Sequence, residues 1–185
     1  MGYDEKIFKA KANIKARRLW LVFAILLTAN YGTDTANGAY SVSNYIIFVI
    51  LCWLPFVCGD ILLKRKGKDN DHYRLAFVIG YGIFYVFLLC TTTSPIAFTY
   101  ILPIISLIVI FKDEKFMIYC AVANMLSLIA SIAFHIFVLG QNTAVDHKNF
   151  QLQIACLLLC YIGYIMSVRH LTESDAALTE SIKSD

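Results

Sequence analysis

Four polar side chains interrupt the apolar stretch Phe116–Leu139: Asn124, Ser127, Ser131 and His135. Their spacing of 3, 4 and 4 residues places them on one face of a helix. All four donate and accept hydrogen bonds, and His135 alone changes charge near neutral pH. Two kinds of chemistry are open to such a face. One is bonding to a neighbouring helix, worth on the order of 0.6 kcal/mol per bond in a bilayer. The other is the wall of a cavity open to the outside, with His135 as its titratable or ligand-binding member. Asp34, close to Asn30 and Asn37, is either a solvated loop acid or a partner of His135 or of a ligand. Tyr100 is a further candidate for a pocket wall, against the alternative of an aromatic residue packing a bundle.

Other chemistries lack their residues. The chain has no HExxH, no GxSxG, no phosphate-binding glycine loop and no paired carboxylates within one apolar stretch. Its basic residues lack the interleaved aromatics of a nucleic-acid site, so no nucleic-acid partner is expected. All six cysteines (Cys52, Cys58, Cys90, Cys120, Cys156 and Cys160) fall in apolar stretches without zinc-site spacing, which leaves packing as their expected role. The expectation is a protein that is not an enzyme and uses no metal and no cofactor.

The elements that must carry these residues are membrane helices. Hydrophobic residues make up 59% of 185, against ~45–50% in soluble domains. Mean hydropathy is +0.66. Six apolar stretches stand out: Leu19–Tyr31, Tyr45–Leu63, Leu75–Cys90, Ile96–Phe111, Phe116–Leu139 and Leu152–Val168. Several fall short of the ~20 residues of a spanning helix, and uncharged flanks extend them. Charge sets the topology. Six Lys or Arg precede the first stretch, five separate the second from the third, two the fourth from the fifth, and two follow the sixth. The other three connections hold only Lys148. The basic side is the cytoplasmic one. The expected fold is all-α, a six-helix transmembrane bundle with both termini cytoplasmic, in the cell membrane. Residues 1–18 form a basic cytoplasmic segment drawn to anionic headgroups, 19–168 the six-span domain, and 169–185 the start of a cytoplasmic helix. The connections at 32–44 and 140–150 are too short for a folded ligand domain, so any input must arrive within the membrane or at its rim.

Beyond the sixth stretch the helical pattern continues without Pro or Gly. Val168, Leu171, Asp175, Leu178 and Ile182 fall on alternating a and d positions of a heptad, four of the five apolar. A parallel homodimeric coiled coil is the expectation, with a tail lying on the membrane as the alternative. The segments KANIKARRLW, IGYGIFYVF, TTTS, YILPI and CYIGYIMSVRHLTESDAALTESIKSD resemble the multi-span membrane sensor region of methyl-accepting chemotaxis proteins from Gram-positive bacteria. The resemblance covers the whole chain and is one of overall pattern. It implies a tail leading into a long methylated coiled coil that binds a histidine kinase and its adaptor, and therefore a natural chain extending past Asp185. The expected function is a sensory input domain passing a stimulus through the sixth helix. The alternative is a small six-span transport component, such as the substrate-binding subunit of a vitamin importer, with a pocket of Tyr100, Asn124 and His135.

Overall fold

A computed structural model describes residues 2–92 and 94–184, with side chains for 5–92 and 94–182. Among them are six α-helices and no strand: α1 (Gly2–Ala36), α2 (Val42–Lys66), α3 (His72–Thr91), α4 (Leu102–Ile108), α5 (Glu114–Phe137) and α6 (Ala144–Ser184). Short 3-10 helices, Ala97–Ile101 and Val109–Phe111, flank α4. Four helices, α2, α3, α5 and α6, are long and apolar enough to cross a membrane. They leave large apolar side chains exposed in rows, Ile46, Ile50, Leu54, Val57 and Ile61 on α2 among them. Water would not tolerate such rows, and lipid tails would. The chain divides into two compact units, Met1–Phe87 and Leu88–Asp185.

In the first unit the basic leader and the first apolar stretch form one helix of 35 residues. No Pro breaks it, and polar contacts tether the leader. Asn13 donates to the carbonyls of Lys68 and Asn70 at 2.9 and 3.0 Å. Arg17 pairs with Asp60, which also pairs with Lys64 one turn on at 3.0 Å, an i,i+4 contact. The small residues Ala12, Ala16 and Ala24 are buried around Trp20 and let α1 lie close to its neighbours. Toward the other end Trp53 donates to the Thr28 hydroxyl at 2.9 Å, and Tyr31 stacks on Tyr45 and Phe48. α1 therefore runs antiparallel to α2 along its whole height. α3 approaches Pro55 of α2 through Gly80, where a Cβ would lie 2.6 Å from the proline Cγ.

In the second unit the stretch 96–111 departs from a regular helix. Pro103 sits at the start of α4, and Lys112 closes the segment in the left-handed region at φ 49°. The 3-10 pieces rise ~2.0 Å per residue against ~1.5 Å, so residues 97–111 reach about 26 Å. At one end of this run Lys112 pairs with Asp175 of α6, and Arg169 donates to Glu114 at 3.1 Å. At the other end Gln153 donates to the Pro95 carbonyl at 2.8 Å, and His135 meets the Leu89 carbonyl at 2.7 Å. Residues 97–111 thus cover the same height as α5.

The helices extend past their apolar stretches, which shortens two connections to residues 37–41 and 138–143. Ser41 caps α2 by accepting from Asn44 N at 3.2 Å. Thr143 and Asp146 form a capping box on α6, Asp146 N donating to Thr143 Oγ1 at 3.2 Å. The turn expected at 92–95 includes Thr93, which lies outside the described residues. Cysteine packing is only partly as expected: Cys52 and Cys120 are buried, whereas Cys58 and Cys156 are exposed.

Candidate functional site: a polar cavity joined to an exit helix

The last turns of α5, the first turns of α6 and the connection after α3 enclose a cavity of about 80 Å³. One water needs ~10–15 Å³ of such space, so it holds several waters or a solute of a few heavy atoms. Metabolite pockets are larger, at ~300–1,000 Å³.

His135, 8% exposed, is fixed by two contacts. Its Nε2 lies 2.7 Å from the Leu89 carbonyl, which can only accept, so Nε2 carries a hydrogen. Its Nδ1 lies 3.0 Å from the Gln141 side-chain amide. A protonated ring donates there to the amide oxygen, and a neutral ring accepts from the amide nitrogen after a half-turn of the amide. Across the cavity Asp146 Oδ2 accepts from the Thr143 amide at 2.9 Å and its hydroxyl at 2.6 Å. The hydroxyl bond, then the amide bond, hold the Asp146 carboxyl below the usual carboxylate range. Asp146 lies in the first turn of a 41-residue helix that is about 60 Å long, twice a ~30 Å hydrocarbon core, so it sits outside the apolar part.

The polar face expected on α5 divides in two. Ser131 and His135 line the cavity. Asn124 instead donates to the Tyr161 hydroxyl of α6, both groups buried, and Ser127 bonds back to the Ala123 carbonyl at 2.9 Å. Neither Tyr100 nor Asp34 lines the cavity. Tyr100 is half-buried in the first 3-10 helix, and Asp34 is half-buried near the end of α1, its carbonyl accepting from Ala39 N at 2.9 Å. Six polar lining residues are new: Thr92, Ser94, Gln141, Asp146, Asn149 and Gln153. Asp146, Asn149 and Gln153 stand 3 and 4 apart, a helical face hidden by reading 140–150 as a loop. The Thr-x-x-Asp capping pattern at 143–146 was the signal for it.

α6 connects this cavity to the far end of the second unit. Its buried positions Phe150, Leu157, Tyr161 and Val168 stand 7, 4 and 7 apart and seat it in its own chain. Of the expected a/d seam, Val168 is buried in this way and Asp175 is taken by Lys112. Leu171, Leu178 and Ile182 remain exposed. Cys156, Gly163 and Ser167 are exposed on a face that runs into that of Leu171, Leu178 and Ile182, and a Cβ at Gly163 would meet nothing within 4 Å. No known protein family, curated protein or solved structure matches this chain.

Proposed function

We propose that the chain is the membrane-embedded input module of a chemotaxis-type receptor. A small stimulus enters at the cavity, and α6 carries the response to a cytoplasmic coiled coil. The observation carrying this reading is the continuity of α6: one helix, Ala144–Ser184, supplies Asp146, Asn149 and Gln153 to the cavity and Leu171, Leu178 and Ile182 to an exposed stripe. Coupling needs an element that both sites bias, and a single helix touching both meets that requirement. The partner is a second copy, with α6 paired to α6 along the small-residue face and then the leucine stripe. Asp175 stays with Lys112 of its own chain, so the seam is narrower than a full heptad array. Six crossings and two cytoplasmic termini follow from the basic loops, supported by α1 and residues 97–111 covering the heights of α2 and α5. A histidine kinase and its adaptor are the partners this reading implies for the coiled coil.

The transport reading has less support. A cavity of about 80 Å³ is too small for a vitamin, and Tyr100 and Asn124 do not line it.

Cross-linking tests the proposal. In membranes, with the native cysteines changed to serine, single cysteines at Leu171, Leu178 and Ile182 form disulfide-linked dimers on mild oxidation. Cysteines at Glu173 and Glu180, on the opposite face, do not. No dimer at any of the five, or equal yields on both faces, refutes paired α6 helices.

A further inference from the structure

The cavity has a sign. Among the described residues, Asp146 is the only carboxylate lining it, and no Lys or Arg does. Both of its bonds to Thr143 fall on Oδ2, which leaves Oδ1 for a ligand. Gln153 donates its amide nitrogen to the Pro95 carbonyl, which leaves its oxygen as an acceptor. Asn149 and the Thr92 hydroxyl add two more acceptors, and the rings of Phe98 and Phe150 form part of the wall. As placed, both His135 ring nitrogens face oxygen acceptors; a half-turn of the Gln141 amide lets the neutral ring accept there instead, so His135 adds no obligatory positive charge. A carboxylate, several oxygen acceptors and aromatic faces together suit an N–H cation, through charge-assisted bonds and cation–π contact. The volume admits only a few heavy atoms.

We propose that this cavity binds ammonium or a small primary alkylammonium ion. The assignment rests on the sensor reading only in making that ion the stimulus, because binding is a property of the cavity itself. In the test, unfolding midpoints of the purified chain in detergent are compared at constant ionic strength. The additives are methylammonium, sodium and tetramethylammonium chlorides, with acetamide as a small neutral N–H donor. Methylammonium gives a saturable rise of about 4 °C at tenfold over its Kd, and the other three do not. Asp146→Asn weakens the response at least about tenfold. Because Asp146 also caps α6, Asn149→Leu provides a second variant that keeps the cap and fills the cavity, and it too loses the response. The idea is overturned if methylammonium has no specific effect, if acetamide acts equally, or if both variants respond like the parent chain. None of these outcomes bears on the α6 cross-links, so the two proposals fail separately.

Discussion

At the scale of single residues, the polar face of α5 does two jobs at two depths. Asn124, 7% exposed, meets the Tyr161 hydroxyl, while Ser131 and His135 two and three turns further on reach the cavity. A donor buried at that depth without its acceptor costs about 1–3 kcal/mol, whereas the bond itself nets ~0.6 and at most ~1.7 kcal/mol in a bilayer. Tyr161→Phe and Asn124→Leu are therefore each expected to destabilise by about 1 to 2 kcal/mol. Their double variant is less destabilised than the sum, by about 0.6–1.7 kcal/mol, when unfolding is followed in detergent. Additive costs would mean that the two side chains do not bond. Spacing made this face legible, since the residues that share it are 3 and 4 apart. Depth was not legible, because whether a polar group meets a tyrosine or a cavity depends on what the other helices bring. Asp146, Asn149 and Gln153 escaped notice for a different reason. Asp146 and Asn149 precede the apolar part of their helix and Gln153 stands at its edge, and hydropathy is blind to a helix that begins in polar sequence.

At the scale of elements, apolar runs located the helices and capping chemistry decided their ends. Ser41 and Thr143 extend α2 and α6 backward into polar sequence, and the tethered leader extends α1. The run 96–111 has the composition of a helix, yet Pro103 and the left-handed Lys112 leave it part 3-10. Glycines separate packing from mere permissiveness. A methyl at Gly80 collides with the Pro55 ring, whereas one at Gly82 meets nothing within 4 Å. Gly80→Ala is expected to destabilise by about 1–3 kcal/mol through overpacking. Gly82→Ala is neutral or stabilising by up to about 1 kcal/mol, the helix-propensity difference between the two residues. Unfolding midpoints of the two variants measure this, and equal effects would mean that α3 does not press on α2 through Gly80.

At the scale of the whole molecule, the open quantity is the number of crossings. By length and hydropathy alone α2, α3, α5 and α6 qualify. If only those four cross, residues 97–111 stay on one side, and the loop at 67–71 ends up opposite the tail after Val168. If six cross, the two lie on the same side. The proposed six crossings rest on geometry within each unit. α1 is tied near both ends of α2, by Asn13 and Arg17 at one end and Thr28 and Tyr31 at the other. Residues 97–111 run from the level of His135 to the level of Arg169. On the proposed reading a segment covering the height of a spanning helix crosses with it, and a broken helix of about 26 Å nearly matches a ~30 Å core. The prediction concerns single cysteines at Asp69, Ser181, Gly38 and Asn142 in a serine background, probed in intact cells with a membrane-impermeant maleimide. Gly38 and Asn142 react from outside, and Asp69 and Ser181 react only after permeabilisation. Labelling of Asp69 and Ser181 from opposite sides would show that residues 97–111 do not cross. It would also place the exit of α6 away from the basic loop at 64–68, and with it would go the charge argument for a cytoplasmic output.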